Sequence, residues 1–221
     1  MTVVDETATG LVGAPRSLAF DPRMTDDERA RLVELLPELE WIADEALREL
    51  TLQLWAHAWR CSPWDDPTDC YTLSRSDVGS NQARWNFVAH TRVVTQTSYT
   101  LAVGLRDLGE LPFDMDLLVA VGLLHDVGKL VEFEPGPDSA VRSELGQTVH
   151  HATVGAQWAL EAGLSPLLAQ AIFAHTPVVK TESTTPEGVL LSMIDHTSSV
   201  VTQKIDGIQR AARAAAAAGE G

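Results

Sequence analysis

Apolar residues recur at helical spacing along most of this chain, and no segment alternates with the period of two that marks a strand. Residues 1–23 carry Gly10, Gly13, Pro15 and Pro22 and read as a loose arm. Thr25, followed by Asp26, Asp27 and Glu28, is an N-cap with acid in the first turn and predicts a helix to about Leu36. Pro37 opens a second predicted helix to about Trp59, with Leu39, Ile42, Ala46, Leu50, Leu54 and Trp55 as its apolar stripe. His57, near the end of that helix, reads as a surface or helix-terminal histidine. Residues 60–83, with Pro63, Pro67 and Gly79, form an irregular stretch long enough to suggest a functional loop.

From about Asn81 a helix is predicted through His90 to Leu108, stopping at Gly109. Asp114 caps the next, which carries Leu117, Leu118, Val121 and Leu124 up to His125-Asp126. A loop from Glu132 to Gly146 contains Pro135, Gly136 and Pro137. Helices are then predicted at 147–162 and 165–174, the latter opening with Ser165-Pro166 and closed by Pro177. A last helix opens at Pro186 and runs through Asp195 towards Ala211–Ala218, a fraying end before Gly219. The fold class is all-α, and there is no internal repeat.

Composition changes this picture little. The chain has 221 residues, 45% hydrophobic and 21% charged, enough for one buried domain with an extra helical arm. The apolar run Leu117–Leu124 is too short to cross a bilayer. Met1–Gly10 lacks a basic region followed by an apolar one, so no secretory signal is expected and the expected location is cytoplasmic. Cys61 and Cys70 allow a disulfide, but reduced thiols suit that compartment better. A net charge of -15 disfavours coating a nucleic-acid polymer. A small anionic substrate stays compatible with it, because local cations outweigh the average field at short range. Trp41, Trp55 and Trp59 fit helix faces and Trp158 fits core packing, which argues against base stacking.

The chemistry lies in histidines and aspartates. His125-Asp126 places an imidazole beside a carboxylate at the end of an apolar helix, where an unpaired carboxylate is costly and a metal would meet both. His90, His151, His175 and Asp195 each fall in a separate predicted helix. A bundle can turn single residues from several helices toward one interior point. The two oxygens of Asp126 suit it to bridging two metals, which work together at about 3.5–4 Å. Imidazole with carboxylate suits iron, manganese, zinc, cobalt or nickel better than calcium. His150 competes with His151 for one place. Gly155, a bare position one turn after His151, leaves room there for a metal or a neighbouring helix. His196 must point away from Asp195's direction. There is no Walker loop, no Gly-x-Gly-x-x-Gly and no Gly-x-Ser-x-Gly.

The ordered set resembles the HD-domain superfamily of metal-dependent phosphohydrolases over about residues 85–200. The matching residues are His90 with Val94 following, Leu-Leu-His-Asp-Val-Gly-Lys at 123–129, His151-Ala-Thr-Val-Gly-Ala, Ala171-Ile-Phe-Ala-His175 and Met193-Ile-Asp195. The resemblance implies an HD-like helical bundle over 85–208, preceded by N-terminal helices and a loop over 24–84 and followed by a tail over 209–221. It implies His90, His125, Asp126 and Asp195 as ligands of one divalent metal. His151 and His175 match the subgroup that holds two, and the resemblance favours His151 over His150 because the family pattern puts a glycine four residues after the ligand, where Gly155 stands. Lys129 follows a glycine read as a helix stop, which places its ammonium near the mouth of the site. An ordinary surface lysine favoured by the helix dipole is the plainer reading. The resemblance turns it toward anchoring a substrate through phosphate or hydroxyl oxygens. Arg84 and Arg142, at loop edges, are further candidates for an anion, whereas Arg92 faces away from His90.

Three functions fit these residues. The first is hydrolysis of a small phosphate ester or nucleotide by a metal-activated water, with Asp126 and Lys129 as catalytic residues. The cyclic-dinucleotide branch is disfavoured, because Thr176-Pro177-Val178-Val179 stands where a Gly-Tyr-Pro motif is expected. The second is a di-iron oxygenase of the same superfamily, cleaving a C–C or C–P bond of a polyol or phosphonate with dioxygen. The third is a regulatory module without turnover, which the intact ligand series argues against. Oligomeric state is not readable from the chain.

Overall fold

The computed structural model describes residues 18–71, 86–137 and 140–219. Its α-helices are α1 (Asp26–Leu35), α2 (Glu45–Cys61), α3 (Phe87–Gly109), α4 (Met115–Leu124), α5 (Lys129–Glu132), α6 (Glu144–Thr148), α7 (His151–Glu161), α8 (Pro166–Ala174) and α9 (Pro186–Gly219). Two three-residue strands, β1 (Phe133–Pro135) and β2 (Ala140–Arg142), pair antiparallel with Glu134 opposite Val141. The architecture is an all-α bundle, and the hairpin is its one departure from the helical pattern among the described residues. So short a pair has too few positions to show alternation in sequence. Arg84, residues 72–83 of the expected loop and the start expected at Asn81 lie outside the described residues.

α4 is the central helix. Asp114 accepts from the Leu117 N–H (3.0 Å), and Leu118–Leu124 are all buried because apolar residues surround that part of the helix. α3 and α9 pack against α4 and against each other, α8 also packs against α4, and α7 pairs with α8. α3 approaches closely because Gly122 has no side chain: a Cβ there would meet Thr95 Oγ1 at 2.7 Å. The N-terminal helices buttress the His-Asp turn from behind. Trp55 Nε1 donates to the Leu123 carbonyl (2.9 Å) and Trp64 Nε1 to that of Leu130 (3.1 Å). Both indoles thus meet a partner inside the core, as buried tryptophans require.

Three expectations for the elements need correction. The helix expected from Pro37 to Trp59 is two elements: a 3-10 turn over Pro37–Trp41, then α2. The break exists because Asp44 turns its carboxylate onto the N–H groups of Ala46 and Leu47 (2.9 and 3.0 Å). Asp116 of α4 accepts from the N–H groups of Ala43 and Asp44 (2.9 and 2.7 Å). α3 ends at Gly109, as expected, and Glu110 after it takes the left-handed conformation (φ 54°). The end of the segment read as a loose arm is packed: Leu18 and Phe20 lie against the core, and Trp158 Nε1 donates to the Leu18 carbonyl (2.7 Å).

His57 is the third. It is 2% exposed, not a surface residue. Its Nδ1 accepts from the Asp21 N–H (3.2 Å), and its ring meets Trp158 edge-on with centroids 4.9 Å apart. Burial, aided by the Arg60 charge, holds its pKa below the ordinary 6.5. The unfolded chain therefore takes up a proton here before the folded one does. The stability that the neutral ring contributes is complete above pH 6.5 and declines as pH falls below it. His57→Gln is expected to reduce the drop in melting temperature between about pH 7.5 and 5.5. An unchanged slope would show that His57 takes no part in it.

Cys61 and Cys70 stand as thiols rather than as a disulfide. Among the described residues no helix is long and apolar enough to cross a membrane.

Candidate metal centre

Separate elements deliver the six predicted residues to one place. His90 comes from the first turn of α3, and His125 and Asp126 from the turn after α4. His151 opens α7, His175 closes α8 and Asp195 sits in α9. Asp126, 1% exposed, lies at the middle. His90 Nε2 is 3.3 Å from Asp126 Oδ2 and 3.0 Å from Asp195 Oδ1, and His125 Nε2 is 3.4 Å from Asp126 Oδ2. On the other side, His151 Nε2 and His175 Nε2 stand 3.1 and 3.3 Å from Asp126 Oδ1. Beside a group of Glu132, His150 and His151, which does not include Asp126, two groups built on Asp126 could each hold a metal ion: His90, His125, Asp126 and Asp195, and Asp126, His151 and His175. Asp126 belongs to both.

The rings are aimed by what lies behind them. His125 Nδ1 donates to the Gly122 carbonyl (2.7 Å) and His175 Nδ1 to that of Ile172 (2.6 Å). Each carbonyl lies three residues back in the same chain, so ending a helix on histidine fixes the tautomer and turns the Nε2 lone pair inward. His90 Nε2, His125 Nε2 and Asp126 Oδ1 are buried with no hydrogen-bond partner among the described residues. Buried polar atoms are rarely left so, and inward lone pairs next to an unsatisfied carboxylate oxygen suit a cation.

The charges are arranged around Asp126. Burial pushes its carboxyl up, but the Lys129 ammonium and the His125 imidazole outweigh that and hold it well below the usual carboxylate range. Asp195 is also raised by burial and lowered further by His90, for a net depression. Burial would lower His90, yet Asp126 and Asp195 beside it raise it. Lys129 Nζ donates to Asp126 Oδ2 at 2.6 Å, with its side chain 20% exposed.

Lys129 is near Asp126 for a different reason from the one expected. Gly128 has an ordinary φ of -66°, so it is not a left-handed helix stop, and Lys129 begins α5 rather than following a helix end. Glycine is required by space: a Cβ at 128 would run into the backbone carbonyl of His151. Of the two uses offered for Gly155, room for a neighbouring helix is the observed one. A Cβ there would press on Ile172 of α8 (3.2 Å) and Val127 (3.4 Å). His150 caps α7, its Nδ1 accepting from the Ala152 N–H (3.3 Å), and its ring lies over that of His151 with centroids 4.0 Å apart. Burial and the adjacent His151 lower its pKa to about 4. His196 is exposed. Arg92 pairs with the buried Glu38 (2.9 Å), and Arg142 is engaged by Glu132 (2.8 Å) rather than standing open to an anion.

Glu132 is the residue that sequence reasoning missed. It is 2% exposed, and its Oε2 lies 2.6 Å from His151 Nδ1. Burial raises its carboxyl, but His151 brings it below the ordinary value. Its only signal in the sequence was being an acid six residues after Asp126.

A family model described as the HD domain matches residues 87–200. The chain belongs to the HD-domain superfamily. No curated protein and no solved structure matches it at a significant level. The matched span covers α3 through the inner part of α9 and takes in all six residues around Asp126. At the level of the family, an HD domain carries metal-dependent phosphohydrolase-type activity and binds divalent metals. The groups around Asp126 are where this HD domain could hold them.

Proposed function

We propose that this HD-domain protein is a dinuclear metal-dependent phosphohydrolase acting on a small anionic phosphate ester or a nucleotide. The observation that carries the reading is the double placement of Asp126, with one oxygen facing His90 and His125 and the other facing His151 and His175. His90, His125, Asp126 and Asp195 would hold one divalent metal, and Asp126, His151 and His175 the second. Bound there, the metals would supply Lewis acidity, making water a nucleophile near neutral pH and neutralising phosphoryl oxygens.

The chain's own residues do the rest. The backbone carbonyls behind His125 and His175 keep Nδ1 protonated and Nε2 available. Asp126 and Asp195 are ionised and balance the cations. Lys129, the partly exposed cation at Asp126, can exchange that carboxylate for a phosphoryl oxygen of the substrate. Hydrolysis breaks the ester P–O bond, adds the water oxygen to phosphorus and leaves the alcohol protonated.

The test begins with protein purified from its own host without added ions. Its metal content is measured, and phosphate release is followed over a panel of nucleotides and phosphomonoesters with manganese or cobalt. Turnover without oxygen uptake supports the hydrolase. Two irons per chain with oxygen uptake on a phosphonate or polyol would replace it with the oxygenase. No turnover on either panel would leave a binding module.

His151→Ala is expected to remove the second metal and cost more than about a hundredfold in kcat, since it takes away a ligand outright, beyond the loss from removing an outer partner. His150→Ala, which removes a cap worth about 1 kcal/mol, should lower the melting temperature and leave metal content intact. The reverse order in a metal and activity assay would reassign the ligand to His150.

A further inference from the structure

Three of the histidines around Asp126 are not supported alike. His125 and His175 lean on carbonyls of their own helical turns, whereas His151 leans on a carboxylate from a different element, Glu132 Oε2 at 2.6 Å. The other oxygen of Glu132 accepts from Arg142 Nη1 at 2.8 Å, and the same Nη1 donates to the Gly146 carbonyl at 2.6 Å. The hairpin and α6 hold this pair in place. Ser143 Oγ donates to the Val131 carbonyl (2.6 Å), and the Arg142 guanidinium lies 5.6 Å from the Phe133 ring centroid. Gly146 lets α6 close on Glu132, because a Cβ there would run into the Glu132 carbonyl oxygen.

We propose that Glu132, oriented by Arg142, is a positioning residue for the second metal position. It keeps the proton of His151 on Nδ1, so that Nε2 faces Asp126 as a lone pair. The inference rests on the dinuclear reading above and adds that the two positions are under separate control. A carboxylate accepts on both oxygens, so it serves Arg142 and His151 together. An amide in its place has one acceptor. Arg142 has only donors and would take the amide oxygen, which turns the NH2 toward His151 Nδ1. That demands a lone pair on Nδ1 and puts the proton on Nε2, where a metal ligand cannot carry it. Glu132→Gln therefore weakens the second position while changing neither volume nor packing. Removing Arg142 as well frees the amide to rotate its oxygen back to His151.

The test is titration of the metal-free full chain with Mn2+ alone, against a competing chelator, with circular dichroism as the check on folding. Wild type is expected to bind two Mn2+. Glu132→Gln should keep the first with unchanged affinity and bind the second about 10–100-fold more weakly. Arg142→Ala alone should weaken the second position less than Glu132→Gln does, and Arg142→Ala with Glu132→Gln should recover most of the affinity that Glu132→Gln loses. A residue that merely packs would make the double variant worse than the single one. In Zn2+-loaded wild type, imidazole 15N NMR should report His151 protonated at Nδ1, a readout that needs no variant. A wild type binding one Mn2+ would overturn the dinuclear reading. A wild type binding two, with Glu132→Gln unchanged, a double variant no better than the single one, or a proton on His151 Nε2, would overturn the role of Glu132.

Discussion

Asp126→Ala is expected to yield a folded protein that retains neither metal and has no detectable phosphohydrolase activity. Each of the other five residues touches one of the two groups, whereas Asp126 belongs to both. Its removal should weaken metal binding by more than about a hundredfold, the upper end for loss of an outer partner. The metal-free variant also leaves the Lys129 ammonium without its carboxylate. Breaking a buried ion pair costs about 3–5 kcal/mol. Lys129 keeps 20% of its side chain in solvent and can turn outward, so the loss should fall below that range. Asp126→Asn, which preserves volume, separates the charge from the packing. The measurements are metal per chain, phosphate release and the melting temperature of metal-free protein. Two metals and full activity in Asp126→Ala would remove the bridging assignment.

Gly128→Ala is expected to damage both stability and the second metal position. The added methyl would strike the carbonyl, Cα and carbonyl carbon of His151, which are backbone atoms and cannot rotate aside. Either α7 shifts away from the His-Asp turn or the turn itself shifts. Overpacking of this kind costs about 1–3 kcal/mol, and the displaced backbone is that of the proposed ligand His151. Gly104→Ala is the control. It lies within α3 with nothing within 4 Å of the new Cβ, so it should be neutral or stabilise by up to about 1 kcal/mol through helix propensity. Denaturant midpoints and Mn2+ stoichiometry for the two variants distinguish a spatial requirement at 128 from a general cost of replacing glycine. Wild-type stability and two bound Mn2+ in Gly128→Ala would refute it.

Much of the bundle can be read directly from the chain because helix signals are local. Asp114 accepts from Leu117 N–H and Ser165 from Leu168 N–H (3.2 Å), each three residues ahead, and the apolar run after Asp114 is long enough to demand burial on every side. The misreadings share a long sequence separation. His57 looked like a helix-end residue because its cover, Asp21 and Trp158, is 36 and 101 residues away. The helix from Pro37 breaks at the local cap Asp44, and the segment before that cap is held by Asp116, more than 70 residues on. Gly128 looked like a helix stop, and only the carbonyl of His151 reveals what it is for.

The sequence by itself determined the helical class, the order of the imidazoles and carboxylates and the pairing of His125 with Asp126, because residue type, short spacing and 3.6-residue periodicity are properties of neighbours. Tertiary structure alone decided that His90, His151, His175 and Asp195 meet around one carboxylate, that Glu132 stands behind His151, and that Arg142 faces inward to hold it. Those relations depend on where helices cross, and crossing is fixed by burial of side chains from the whole chain rather than by any segment alone.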